Sequence, residues 1–272
     1  MKRISILFAV FCFLAAWIPT SAQVFKNADL EISQLEDHVW VIETTDKTTM
    51  YLIEGTEKAL LVDTGTNCEK LDEVIREITK KPLQVVITHM HMDHAGNMDF
   101  FPEVYFHAAD TVLMSRINPY KGKIHFVSEG DQFDLGGKVI EVSDMPAHTP
   151  GSIVLLDKKA GTCYSGDAFG SGQVWLQLKP FSNMQTYVNS CRKMEELMDA
   201  GITKIYCGHY PYVKKAYDKG YITEMRQLAE VLIAGNAPEA TPHPQKVSIA
   251  CDHPMMVTLG AATIVYDPEH IK

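Results

Sequence analysis

The sequence predicts an α/β fold, of the mixed α+β kind, in which β-sheets are covered by helices on their outer faces. Three observations carry this. A series of short β-like runs opens the chain, later strands alternate with two strongly amphipathic helices, and the residues able to do chemistry follow predicted strand ends.

The first β-like runs are Val39–Glu43, Met50–Glu54 and Ala59–Val62. A helix follows, with Leu71, Val74, Ile75 and Ile78 on one face and Thr66 and Glu69 placed to form its capping box. After Pro82, the apolar run Gln84–Thr88 suits a strand buried on both faces. Further strands are expected at Val104–Phe106, Ile124–Val127, Lys138–Val142, Ile153–Leu156, Thr162–Tyr164 and Lys204–Cys207, the last running into Gly208-His209. Two helices interrupt them. Met184, Tyr187, Val188, Cys191, Met194, Leu197 and Met198 make one apolar stripe; Ile222, Met225, Ala229, Leu232 and Ile233 make the other. A Pro-rich passage from Ala237 to Pro244 leads to a final appended hairpin, and without repeats or a long linker the chain reads as one domain over 23–272.

The N-terminus reads Lys2-Arg3, an apolar run from Ile4 to Ile18, then Pro19-Thr20-Ser21-Ala22-Gln23, the charged, apolar, small-residue order of a secretory signal peptide over 1–22. A periplasmic or secreted protein with no stable membrane insertion after cleavage is the expectation. Cys12 lies inside the apolar run, so it does not read as a lipoprotein cysteine. The remaining cysteines, Cys68, Cys163, Cys191, Cys207 and Cys251, show no paired short spacing and read as free thiols. A formal charge of −9 and the lack of a basic run argue against a nucleic-acid partner. Oligomeric state is not legible.

The strongest signal is Thr88-His89-Met90-His91-Met92-Asp93-His94-Ala95-Gly96-Asn97, where three imidazoles and a carboxylate crowd a strand end. Alternating strand positions put His89 and His91 on one side, and a turn after them swings Asp93 and His94 toward a neighbouring point, an arrangement that suits two adjacent metal ions. His38, His107, His125, His243, His253 and His270 lack ligand-like spacing and are read as structural.

This His-x-His-x-Asp-His run resembles the signature of the metallo-β-lactamase superfamily. The resemblance extends to His148 in Pro146-Ala147-His148-Thr149-Pro150-Gly151, to Asp167 in Ser165-Gly166-Asp167, to His209 in Cys207-Gly208-His209-Tyr210, and to Asp63 in Val62-Asp63-Thr64-Gly65. It implies a four-layer αββα sandwich. It also implies that His89, His91 and His148 bind a first metal, that Asp93, His94 and His209 bind a second, and that Asp167 bridges the two, with Asp63 in a supporting role. Zinc suits imidazole and carboxylate donors, although iron and manganese fit the same set.

By the same resemblance the chain is a binuclear hydrolase that uses a metal-bridging hydroxide on an ester, lactone, thioester or amide bond of a small molecule, with Asp93 as the catalytic residue managing the proton. Asp at position 167 favours the glyoxalase II and lactonase type of ligand set. A β-lactamase or phosphodiesterase of the same fold is an alternative. So is a persulfide-dioxygenase-like oxidoreductase, whose single iron would sit on His89, His148 and Asp167. Gly170-Ser171-Gly172-Gln173-Val174-Trp175 is a candidate pocket wall, with Trp175 and Tyr210 as candidate substrate contacts.

Overall fold

Eight strands pair in chain order to form the first sheet. They are β1 (Gln23–Lys26), β2 (Leu30–Glu36), β3 (Val39–Thr44), β4 (Thr49–Glu54), β5 (Ala59–Val62), β6 (Leu83–Val86), β7 (Glu103–His107) and β8 (Lys123–Val127). Pairing is antiparallel as far as β5 and parallel from β5 to β8, so the connections after β5 must cross over the sheet. Helix α1 (Leu71–Ile78) makes the first crossover, and the single turn α2 (Met92–Ala95) lies in the next. The computed structural model describes residues 23–117, 119–170, 172–176, 182–245 and 251–272; the leader read over 1–22 lies outside them.

The chain continues through β9 (Gln132–Asp134), β10 (Val139–Asp144), β11 (Ile153–Asp157), β12 (Thr162–Tyr164), β13 (Val174–Trp175), helix α3 (Met184–Asp199) and β14 (Lys204–Tyr206). The second sheet has the order β14-β12-β11-β10-β9. Next come the short α4 (Tyr210–Val213), helix α5 (Lys219–Ile233), β15 (Thr241–Pro242), β16 (Met255–Leu259) and β17 (Ala262–Tyr266). A third, smaller sheet runs β13-β17-β16-β15.

Side-chain alternation shows why these strands stack as they do. In β4, Met50 and Leu52 pack with α1 residues Leu71 and Ile75, whereas Tyr51 and Ile53 face the second sheet. In β11, Ile153 and Leu155 point back at the first sheet, and Val154 and Leu156 pack against Met194 of α3 and Met225 of α5. Strands buried on both faces read as continuous apolar runs, which is how these two appear in the sequence. Three hydrophobic cores between four layers make the αββα sandwich.

Two local expectations are corrected. No capping box starts α1: Asn67 and Lys70 take positive φ of 54° and 53°, which turns Thr66 away from the N-cap position held by Lys70, and the Glu69 N–H donates to Asp29 Oδ2. Asp72 and Glu73 in the first turn supply the favourable negative charge instead. The C-terminal hairpin exists but is not an appendage. Val257, Ala262, Ile264 and Tyr266 are buried in the α3–α5 core, and β17 pairs in parallel with β13. The five cysteines of the described residues are all free, and no helix among those residues is long and apolar enough to cross a membrane.

Candidate metal centre

All seven sequence-predicted ligand positions lie on loops leaving the strands of the two main sheets. His89, His91, Asp93 and His94 follow β6, His148 follows β10, Asp167 follows β12 and His209 follows β14. The structure brings them together as three overlapping groups, His89–His91–His148, His89–His94–Asp167 and Asp93–His94–His209. Within each group the potential ligand atoms lie within 4.8 Å of one another.

Four of the five imidazoles, His89, His94, His148 and His209, are oriented by a partner on the far nitrogen, an arrangement that fixes the ring plane. His94 Nδ1–H donates to Asp63 Oδ2 at 2.8 Å. The same carboxylate accepts from the Thr88 N–H at 2.7 Å and the Thr88 hydroxyl at 2.9 Å, and the Thr88 oxygen in turn lies 3.1 Å from His89 Nδ1. Asp63 is buried and sits at φ 65°, a left-handed conformation uncommon for a residue with a side chain and enriched at functional sites. His148 Nδ1–H donates to the Trp175 carbonyl at 2.7 Å, and His209 Nδ1–H donates to the Lys47 carbonyl at 3.0 Å.

The opposite nitrogens converge. His148 Nε2 faces His91 Nδ1 at 2.9 Å, a pair closed by one proton or by one cation. His94 Nε2 lies 3.6 Å from Asp93 Oδ2 and 3.5 Å from Asp167 Oδ1, and His209 Nε2 lies 3.4 Å from Asp93 Oδ2 and 3.2 Å from Asp167 Oδ2. Buried polar atoms are normally hydrogen-bonded, yet His89 Nε2, His91 Nε2, His94 Nε2 and Asp167 Oδ1 are buried with no hydrogen-bond partner. Electron-pair donors gathered in this way fit a cation.

Electrostatics divides the site. Burial, reinforced by neighbouring imidazoles, holds His89 well below the usual histidine range and pushes His91 down to about 3, and burial lowers His148 as well. These three are neutral donors. At His94, burial is outweighed by Asp93, Asp167 and Asp63, and at His209 by Asp167 and Asp93, so both are held well above that range. Burial opposes ionisation of Asp93 and Asp167, but the histidines beside them win and hold both carboxylates below their ordinary values.

Gly208 is required by close approach. A Cβ there would lie 2.5 Å from Asp167 Oδ1 and 2.6 Å from His94 Cε1, so any side chain would push into the donor cluster.

Several functional neighbours escape the sequence reading. Asp110 is buried and ties two ligand loops together: its carboxylate accepts from the Met90 N–H at 2.9 Å, the Thr149 hydroxyl at 2.8 Å and the Gly151 N–H at 2.6 Å. A cleft of about 560 Å³ opens beside Asp167 and His209 and is further lined by Gly172, Gln173, Trp175, Tyr212, His243, Pro244 and Gln245. Trp175 therefore does line the site. Tyr210 does not: it turns to the inter-sheet core, 5.9 Å from the ring of Tyr206, and the exposed Tyr212 takes the cleft position. Ser171 of the candidate pocket wall lies outside the described residues.

The four-layer sandwich with this donor cluster at the strand ends defines a metallo-β-lactamase fold, and the profile of the Metallo-beta-lactamase superfamily matches residues 44–209, more than half of the chain. The chain belongs to that superfamily. It is 29% identical over 208 residues to the Acyl-coenzyme A thioesterase MBLAC2 of Gallus gallus, covering 62% of this chain and 74% of the relative. It is 28% identical over 195 residues to the Hydroxyacylglutathione hydrolase of Hydrogenovibrio crunogenus, covering 68% and 63% respectively. Among solved structures, a metallo-beta-lactamase from Erythrobacter litoralis superposes with a TM-score of 0.60 at 20% identity, over 77% of this chain and 99% of the other, a likeness of fold.

Proposed function

We propose that this chain, a hydrolase of the metallo-β-lactamase superfamily, holds two zinc ions and cleaves an ester, lactone, thioester or amide bond of a small molecule. In this reading His89, His91 and His148 would hold one ion and Asp93, His94 and His209 the other, with Asp167 placed to serve as a ligand between the two groups. The observation that carries it is the set of buried, unpartnered donor atoms converging beside an open cleft. Thioesters lead the substrate classes, since the relatives named above are an acyl-CoA thioesterase and a hydroxyacylglutathione hydrolase.

Divalent ions in such a site supply Lewis acidity and bring the ionisation of water toward neutral pH. The chain's own residues do the rest. The Asp93 side chain is 38% exposed against 13% for Asp167, so Asp93 is the carboxylate placed to take a proton from attacking water and return it to the leaving group. Asp63, the Trp175 carbonyl and the Lys47 carbonyl hold three imidazoles in the orientation that directs lone pairs inward. Export rests on the leader pattern, and an intact mass starting near Gln23 would support it.

The test is metal content of the purified chain by elemental mass spectrometry, paired with hydrolysis of thioester, lactone, ester, β-lactam and phosphodiester substrates. Two metals per chain and chelator-sensitive turnover are expected. One iron per chain with oxygen consumption on persulfides would overturn the reading.

A further inference from the structure

His243, set aside in the sequence as structural, stands in the cleft. It comes from the passage between α5 and β16, beyond the 44–209 stretch that matches the superfamily profile. Its ring packs edge-on against Trp175 at a centroid distance of 4.4 Å, and it is 9% exposed. His243 Nδ1 is engaged by the Gln245 backbone, 3.1 Å from its N–H and 3.2 Å from its carbonyl, which leaves Nε2 as the other polar atom of the ring. Nε2 has no hydrogen bond to any described residue, and it is not among the fully buried polar atoms left without a partner. Nε2 is therefore an accessible hydrogen-bonding atom in a cleft lined otherwise by Trp175, Tyr212, Pro244, Gln173 and Gln245, next to Asp167 and His209.

We propose that His243 is a specificity-determining residue: its Nε2 hydrogen-bonds a polar group of the substrate, such as an amide, while the Trp175 ring packs against the apolar segment beside that group. The proposal rests on the cleft being the substrate site of the hydrolase reading above. A mostly uncharged wall with a fixed imidazole suits this role, because polar groups placed sparsely in an apolar pocket set orientation and selectivity. A site built to hydrogen-bond a substrate group discriminates against an analogue that lacks it. Trp175 links the wall to the donor cluster, since its carbonyl orients His148 while its ring meets His243. The Pro-rich passage thus becomes a specificity wall that the matched superfamily region does not supply.

The experiment uses two pairs of thioesters on the metal-loaded full chain. Each pair differs by one amide group, carried in the leaving thiol in one pair and in the acyl chain in the other, so that a carbonyl and an N–H are both offered to Nε2. The wild-type chain is expected to favour the amide-bearing member of at least one pair roughly ten-fold, through KM, as one hydrogen bond of about 1.4 kcal/mol implies. His243→Ala is expected to erase that preference, leaving kcat on the amide-free member and metal content unchanged; His243→Gln, which keeps a donor, is expected to restore part of it. A His243→Ala chain that keeps the preference, or that loses kcat equally on all four compounds, overturns the proposal. Should the wild-type chain turn over none of them, the hydrolase reading fails on its own account. His243 is then tested by titrating the same thioesters and following Trp175 emission in a Trp17→Phe, Trp40→Phe background: equal affinity with and without His243 overturns it.

Discussion

At Asp63 one carboxylate serves three donors, the Thr88 N–H, the Thr88 hydroxyl and His94 Nδ1–H, from a left-handed backbone position. Asp63→Asn separates these roles cleanly, because Asn tolerates that conformation while turning one acceptor into an N–H₂ that faces a donor. Metal affinity should fall about 10- to 100-fold, as for other partners of metal-bound histidines, measured by competition with a chromogenic chelator. Unchanged affinity would remove Asp63 from the support of the site. Asp93→Ala makes a different prediction. The carboxylate assigned to proton transfer disappears together with a donor of the Asp93–His94–His209 group, so kcat should fall by about 10²-fold or more, with loss of metal from that group. The His89–His91–His148 group should stay loaded, which elemental analysis of the variant would read directly.

The 3₁₀ segment Ala108–Arg116 shows how an element can matter to a site without contributing a ligand. Asp110 at its start joins the loop carrying His89 and His91 to the loop carrying His148, through Met90, Thr149 and Gly151. Burial raises its pKa, opposed by those three hydrogen bonds, so the carboxylate is held by its partners and they by it. Asp110→Ala should cost about 2–4 kcal/mol, since it strands buried donors as well as removing bonds, and urea midpoints would check it; a loss under about 0.5 kcal/mol would mean the loops hold themselves. Sequence pattern alone could not expose this residue. The histidine motif is legible because its chemistry is packed into six consecutive positions, and α3 and α5 are legible because a 3.6-residue stripe is local. Asp110 acts only through contacts 20 to 41 residues away, and its segment has no periodic apolar face. Strand β2 went unread for a related reason: Glu31, Ser33 and Gln34 break up its apolar residues, and it is the pairing with β3 that makes Leu30 and Ile32 core. His243 was unreadable as a cleft residue because its neighbour Trp175 lies 68 positions away in the chain, brought close by the pairing of β13 with β17 in the third sheet.

Across the whole molecule, the donor cluster lies where the two main sheets meet. Four candidate ligands come from the first sheet's loop after β6 and three from loops of the second, after β10, β12 and β14. Polar links between the sheets sit beside the same loops: the Tyr51 hydroxyl donates to the Cys207 carbonyl at 2.7 Å, the Thr49 N–H to the Gly208 carbonyl at 2.7 Å and the Ile153 N–H to the Thr88 carbonyl at 3.0 Å. The interface itself is a hydrophobic core, so the fold is expected to persist when ions are removed. Metal binding should nevertheless add stability, because ions that bind the folded chain and not the unfolded one contribute about 2.7 kcal/mol at 100 times Kd and about 4.1 kcal/mol at 1,000 times. For a chain of this size each kcal/mol moves Tm by about 2–4 °C. Chelation should therefore lower Tm by roughly 5–15 °C while leaving a cooperative transition, and re-addition of zinc should restore it. A calorimetric scan distinguishes the outcomes. A shift in this range that is smaller in Asp63→Asn would support ions bridging the sheets through the predicted donors. Loss of turnover on chelation with no change in Tm would place the ions on one sheet's loops alone, and the assignment of His148, Asp167 and His209 as ligands would have to be withdrawn.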